Sequence, residues 1–399
     1  MKNLVINCGS SSVKYQLFDM TTEKVLTQGL VERVGIFGSG IKHTKTGMET
    51  LARVVDFPTH KEAVQYVLNL LVDPVYGAIK TFDEITAVGH RIVHGGETLI
   101  KPTLVTEKVI NELEKIIPLA PLHNPGHLQG IHAIMEILSD VPNVIVMDTA
   151  FHQTMPPKAF IYGIDYKYYE ENQIRKYGFH GTSHDYVSSR AAEILGKPLK
   201  DLKVITCHLG NGSSISAIKD GKCIDTSMGL SPIEGVVMGT RSGDVCPGVL
   251  LFLMRQLRDV DLVSNAIQNK GGLLGISGVS SDLRDVELAA EKGNKRAALA
   301  QDKLIYGVQK YIGAYTAAMD GVDVIVFTAG IGENGVAFRE KVCSKLGFLG
   351  VKIDTEKNNC RGKEVIFSTP DSKVTVMVIP TDEELTIARE TQKCVEANK

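Results

Sequence analysis

No CxxC pair occurs among the seven cysteines, which are scattered at Cys8, Cys207, Cys223, Cys246, Cys343, Cys360 and Cys394. An odd and unclustered set argues against a disulfide framework or a zinc–thiolate cluster and fits buried thiols in a reducing cytoplasm. The chain also lacks any apolar run of about eighteen residues, so no membrane-spanning helix is expected. Its start, MKNLVIN, reads as a strand, without an apolar signal segment or a small-residue cleavage site. There is little net charge of either sign. Forty-four Lys and Arg against forty-six Asp and Glu leave −2, which argues against a general nucleic-acid or membrane-surface binder. Three nucleotide and metal signatures are missing as well: the Walker pattern GxxxxGK(S/T), GxGxxG after a first strand, and HExxH.

What is there fits a soluble globular protein, with 43% hydrophobic and 23% charged residues. A chain of 399 residues predicts two or three domains. Strand patterns fall near 3–8, 12–19, 24–33 and 41–57, and THKEAVQYVLNLLVD opens on a threonine cap with helical apolar spacing. ITAVGHRIVHGG and VPNVIVMDTAFH read as buried strands, with helices at 106–117 and 125–139 between them. IPLAPLHNPGH, with three prolines, reads as an irregular loop. The plan then begins again. LKVITCHLGNGSSISAIKDGKCID repeats the strand, Gly/Ser turn, strand, turn and strand of LVINCGSSSVKYQLFDMTTEKVL. Helices follow near 246–257, 260–269, 282–292 and 294–319. After them come the strand VDVIVFTAG, a helix from 333, the strand VTVMVIP and a last helix from 382. Two such halves facing each other would put their loops across one cleft, a good position for an extended phosphate ligand.

The loops carry the chemistry. CGSSSVK has more donors than a hairpin needs, and it predicts a phosphate cradle from backbone N–H groups, Ser10, Ser12 and Lys14. HLGNGSS, TAGIGEN and GISGVSSDLRD are further glycine turns beside strands or helix starts. Each alone is routine structure, but four in a duplicated chain point to a nucleotide. Arg91 in GHRIVHGGE and Arg241 in GVVMGTRSGD are cations among apolar and glycine neighbours, suited to a carboxylate or a transferring phosphoryl group. Asp148 ends VIVMD, and Glu383 and Glu384 open the last helix. With Asn7 they offer the hard oxygen donors that magnesium prefers. HGTSH and HNPGH have the i,i+4 spacing of paired zinc ligands but no neighbouring acidic ligand. A histidine in the Gly-flanked turn GFHGTSH is better suited to donating to developing charge.

NCGSSSVKY, GHRIVHGGE, FHGTSH, HLGNGSS, GTRSGD, FTAGIGEN and TDEEL, in this order along the whole chain, resemble the acetate kinase family. The resemblance implies an α/β, actin-like ATPase fold of two ribonuclease-H-like domains around a nucleotide cleft. The first domain would be 1–150, joined by the helix 384–399, and the second 151–383, with most ATP contacts and a homodimer interface. It further implies magnesium-dependent (or manganese-dependent) reversible transfer of the ATP γ-phosphoryl group to acetate, giving acetyl phosphate and ADP. Carried over by motif, Asn7 and Glu383 belong to the metal site, Lys14 to the nucleotide phosphates and Arg91 to the carboxyl substrate. Asp148 belongs to catalysis, and His180 and Arg241 to the transition state. His208, Leu209, Gly210, Asn211 and Gly212 match ATP contacts. So do Asp282, Leu283, Arg284, Gly330, Ile331, Gly332, Glu333 and Asn334. Val93, Leu122, Phe179 and Pro232 match the pocket for the substrate methyl. A carboxylate is already ionised at neutral pH and needs no base, so Asp148 reads chiefly as an orienter of magnesium, with general base the lesser option. A propionate or butyrate kinase remains open, because one methylene discriminates by only about 1–3 kcal/mol. So does an actin-like or chaperone-type ATPase without a small acceptor.

Overall fold

The computed structural model describes residues 1–398. Two compact units emerge, Met1–Ala150 together with Asp382–Lys399, and Phe151–Thr381.

The first unit is built on an eight-stranded sheet in the order β5–β4–β3–β2–β1–β6–β8–β7. β1 (Lys2–Cys8), β2 (Ser12–Asp19), β3 (Lys24–Glu32), β4 (Gly40–Lys45) and β5 (Leu51–Val54) form an antiparallel meander. β6 (Ala87–Ile92) and β8 (Asn143–Met147) run parallel to β1, and the short β7 (Thr103–Leu104) closes the edge. The meander needs only tight turns. The first is closed by Gly9 N–H donating to Ser12 O at 2.9 Å. The parallel strands need crossovers, supplied by the helices His60–Leu71, Glu107–Lys115 and Asn124–Ile137. Thr59 caps the first of these, its hydroxyl accepting from Lys61 N–H. The helix Glu383–Ala397 packs on β6, β8 and β1. Its close approach depends on Gly89, where a Cβ would collide with Thr391 Oγ1.

The second unit repeats the plan on a six-stranded sheet, β11–β10–β9–β12–β14–β13. β9 (Val204–Leu209), β10 (Ser213–Lys219) and β11 (Lys222–Thr226) are antiparallel. β12 (Val324–Thr328) and β14 (Thr375–Val378) run parallel to β9, and β13 (Val365–Ile366) is the edge. Three antiparallel strands followed by two parallel ones, β3–β2–β1–β6–β8 and β11–β10–β9–β12–β14, are the duplicated ribonuclease-H-like pattern. The buried strands of the second sheet are covered on one face by Gly181–Leu195 and on the other by the long helix Lys295–Met319.

The elements differ from the sequence reading in several places, the largest being the helix Gly181–Leu195, for which no element was expected. NPGH is not irregular but the first turn of the helix Asn124–Ile137, because a proline at a helix start loses no hydrogen bond. TAGIGEN does not lead into a helix at 333. It is itself helical over Ala329–Asn334, followed by a second helix, Val336–Cys343. GLLGIS forms an unforeseen short helix, Gly272–Ser277.

Four of the buried histidines give the fold a pH signature. Burial holds His90, His127, His152 and His184 neutral, the first three down to about 4, 3 and 4. His184 is held well below its usual value for the same reason. In the unfolded chain each would titrate near 6.5, so below that pH the unfolded state binds more protons and stability is lost as pH falls toward 4. Each histidine adds up to about 1.4 kcal/mol per pH unit to that slope. Urea midpoints should be flat from pH 7 to 8 and fall steeply from pH 6.5 to 4.5, and a flat profile to pH 4.5 would contradict this account.

Candidate active site

In the first unit, the C-terminal ends of three parallel strands bring the candidate residues together. Asn7 lies near the end of β1 opposite Lys14 on β2, Arg91 near the end of β6, and Asp148 just past β8. Open α/β sheets place ligands outside these ends. Arg91 donates through Nε and Nη2 to the two Asp148 oxygens at 3.0 and 2.7 Å. Glu383 Oε2 lies 3.7 Å from the same Nη2. Burial alone would pull the Arg91 pKa down, but the Asp148 and Glu383 carboxylates outweigh it and hold the guanidinium firmly protonated. Glu383 opens its helix beside Asp382, whose side chain accepts from Leu385 N–H at 2.9 Å as the cap.

Lys14 already has a partner. Its ammonium is paired with Glu384, the lysine being about half exposed. Such a pair is worth about 0–1 kcal/mol, so a phosphate can displace it. Ser10 is exposed and Ser12 half-buried in the turn that follows β1. That turn is gripped from behind. His60 Nε2 lies 2.7 Å from Gly9 O, and the helix Asn124–Ile137 packs so near that a Cβ on Gly126 would sit 2.9 Å from the same carbonyl. His127, on that helix, accepts from Val93 N–H at 3.3 Å. Burial, then the nearby Arg91, keeps it neutral. Sequence reasoning missed both supports. His60 carried no motif, and the i,i+4 pair His123 and His127 was weighed only as a metal site and set aside for want of an acidic ligand. Val93 is half-buried, whereas Leu122 is 64% exposed.

In the second unit the candidates gather at the ends of β9 and β12, where Thr328 pairs in register with His208. His180 caps the helix Gly181–Leu195 in the left-handed conformation, φ 57°. Its ring stacks on His208 with centroids 4.1 Å apart, and its Nδ1 lies 2.9 Å from Ser214 Oγ. The same hydroxyl lies 2.7 Å from His184 Nε2, whose other nitrogen lies 2.7 Å from Thr206 Oγ1. Both nitrogens of His184 are thus taken by hydroxyls, and HGTSH is a hydrogen-bonded relay rather than a zinc pair. His208 Nδ1 meets Ser183 Oγ at 2.7 Å.

Arg241 contrasts with Arg91. Its Nη1 donates to Pro232 O at 3.2 Å, and among the described residues no carboxylate pairs with it. Burial therefore pulls its pKa down with nothing to oppose it. A Cβ on Gly212 would lie 3.3 Å from His180 Nε2 and 3.4 Å from Arg241 Nη1, so both groups face the Gly210–Gly212 loop. An uncompensated guanidinium beside an imidazole and a bare glycine backbone is a setting for an anion.

The remaining segments border this spot. Gly239 N–H donates to Asn211 O at 3.0 Å. Asp282 caps Leu283–Glu291 and is paired with the exposed Arg284. The turn Ala329–Asn334 starts at Ala329 with φ 60°. That left-handed conformation costs a non-glycine residue about 1–2 kcal/mol, and such strain clusters at functional sites. Two expected side-chain contacts are otherwise engaged. Glu333 Oε1 accepts from Thr381 N–H at 3.1 Å, and Asn334 Nδ2 donates to Gly330 O at 3.0 Å. The Phe179 side chain is buried, and its carbonyl lies 2.9 Å from His152 Nε2.

Comparison with known proteins agrees with this arrangement. The acetokinase family model matches residues 2–389. An acetate kinase of Treponema denticola is 56% identical over 396 residues, covering 99% of this chain and all of the relative. The crystal structure of Porphyromonas gingivalis acetate kinase superposes with a TM-score of 0.95 at 51% identity, covering 99% of both chains. A propionate kinase from Francisella tularensis gives a TM-score of 0.92 at 40% identity, covering 98% of this chain and 99% of that one. With the family model spanning both sheets and every loop described above, the chain belongs to the acetokinase family.

Proposed function

We propose that the chain transfers the γ-phosphoryl group of ATP to the carboxylate of acetate, reversibly, giving acetyl phosphate and ADP. Family membership supports the reaction. The observation that carries the chemistry is Arg241, a half-buried guanidinium without an acidic partner that faces His180 and the Gly210–Gly212 loop. In the forward step an acetate oxygen forms the new bond to the γ-phosphorus while the bond to the β,γ-bridging oxygen breaks. The electron pair of that bond leaves on ADP. Acetate is ionised at neutral pH, so no base is needed, and the work lies in aligning two anions and neutralising their repulsion.

The residues divide that work. Arg91 receives the acetate carboxylate, and Asp148, already holding Arg91 at two points, orients rather than takes a proton. Arg241 and His180 donate to the transferring phosphoryl oxygens. Ser10, Ser12 and Lys14 serve the phosphates, and the segments 208–212, 282–284 and 330–334 serve the rest of the nucleotide. Val93, Leu122, Phe179 and Pro232 serve the methyl group. Asn7 and Glu383, with Asp148 nearby, have the hard-oxygen chemistry that suits magnesium or manganese. Such an ion is usually held by one or two carboxylates plus water and substrate phosphates. When bound, it would screen phosphate charge. Seven free thiols support a reducing cytoplasmic setting, and no helix among the described residues is long and apolar enough to cross a membrane.

The likeness to a propionate kinase favours some turnover of the longer acid. Hydroxylamine trapping of acyl phosphate from ATP and a panel of acids tests both readings. Product is expected with acetate, and ATP consumption that ignores added carboxylate would refute the proposal. The two arginines should separate in stability. Both alanine variants should lose roughly 10²–10³-fold in turnover. Arg91→Ala removes the two-point partner of the buried Asp148 carboxylate and should cost about 3–5 kcal/mol of stability, whereas Arg241→Ala removes a cation with no acidic partner among the described residues and should leave the urea midpoint nearly unchanged. Wild-type turnover in either folded variant, or equal destabilisation of both, would contradict these roles.

A homodimer through the second unit is part of the proposal. The helix Pro247–Leu257, PGVLLFLMRQL, has no buried residue, and Leu251 and Phe252 are 59% and 60% exposed. Val260 and Leu262 on the next helix, Val260–Gln268, extend the apolar face. A contiguous patch of this kind calls for a partner, most often across a two-fold axis. Sedimentation should give a dimer that Phe252→Glu dissociates, and a wild-type species of only 43.4 kDa would refute it.

A further inference from the structure

We propose that Arg339 is a positioning residue for nucleotide binding, holding the Ala329–Asn334 turn in its binding geometry through the carbonyls at the turn's far end. The proposal rests on the reading that residues 330–334 contact ATP. The Arg339 side chain is fully buried. A buried guanidinium is costly unless its N–H groups are all satisfied. Here Nε donates to Asn358 Oδ1 at 2.8 Å, and Nη1 donates to Gly332 O at 2.9 Å and Glu333 O at 3.0 Å. Nη2 donates to Asn358 O at 2.6 Å and Cys360 O at 2.9 Å. No carboxylate pairs with Arg339 among the described residues. Its N–H groups are spent on backbone carbonyls, one amide oxygen and, at 3.7 Å, the Cys360 sulfur.

Two of those carbonyls belong to residues 332 and 333. A six-residue helix cannot hold its own ends, and its last carbonyls have no partner within it. This one also starts on the strained Ala329. The guanidinium supplies the missing donors and a positive charge at the end where the helix dipole favours one. The opposite side of the fork is fixed in turn, because Asn358 is buried and donates to Val336 O at 3.0 Å. The planar fork therefore ties the turn to the 358–360 segment. Lysine, a point charge on a flexible stem, cannot span both.

The test compares MgADP affinity by calorimetry, the acetate KM, and amide exchange of residues 329–335. Wild-type protein should show protection of 329–335 by MgADP. Arg339→Lys should exchange faster there without ligand and bind MgADP about tenfold more weakly, roughly 1.4 kcal/mol, with the acetate KM changed by less than about twofold. Asn358→Ala, which removes the Oδ1 acceptor and leaves the guanidinium, should show the same split and serves if the lysine variant does not fold. No protection by MgADP in the wild type would overturn the reading of the turn and the proposal with it. Protection in the wild type with unchanged MgADP affinity in the variants, or nucleotide and acetate constants rising together, would overturn the proposal alone.

Discussion

Repulsion between like charges is the constraint on which the rest of the structure turns. A carboxylate and a triphosphate must meet, and at 4 Å two unit charges repel by about 4 kcal/mol at an effective dielectric near 20. Two arginines, one at the sheet ends of each unit, are kept differently. Arg91 is locked by Asp148 and approached by Glu383, so its charge is oriented but partly spent. Among the described residues Arg241 is met at its Nη1 by a proline carbonyl and a thioether and by no carboxylate.

The duplicated sheet makes this arrangement possible. Parallel strands β1, β6 and β8 end together, and so do β9, β12 and β14. Each set hands its last residues to loops at one edge of its sheet. The first gathers acids, Asn7 and Arg91. The second gathers histidines, bare glycines and Arg241. Strain is stored at two helix starts of the second unit, His180 and Ala329, both left-handed without being glycine. Each is held by hydrogen bonds of neighbouring groups, Ser214 at His180 and Arg339 beyond Ala329.

Much of this was legible in the residues. The repeat was visible because buried strands and Gly/Ser turns recur in the same order, and hydrophobic periodicity survives without tertiary information. Arg91, Arg241, Asp148 and the glycine loops were visible because each departs from the composition of its surroundings. Other features depend on contacts between residues far apart in the chain. Nothing near Lys14 announces Glu384, 370 positions away. His127 and His184 sit in spacings that suggest metal ligands, and only the burial of their partners reveals their hydrogen-bonding roles. Arg339 lies in VAFREKVC, indistinguishable in sequence from a solvated helix face, yet it is fully buried. The helices beginning at Asn124 and Ala329 were misjudged because proline and glycine were read as breakers where they occupy first turns.

The central claim is that the carboxylate oxygen itself attacks the γ-phosphorus, and isotope transfer tests it most directly. Acetate labelled with ¹⁸O in both oxygens, incubated with ATP and this protein, should give acetyl phosphate whose bridging oxygen comes from acetate. Hydroxylamine then attacks the acetyl carbon and releases inorganic phosphate that keeps that oxygen. The account predicts one ¹⁸O atom in the released phosphate and none in ADP. Phosphate without label, formed at the same rate with or without acetate, would mean that water is the acceptor and would contradict it.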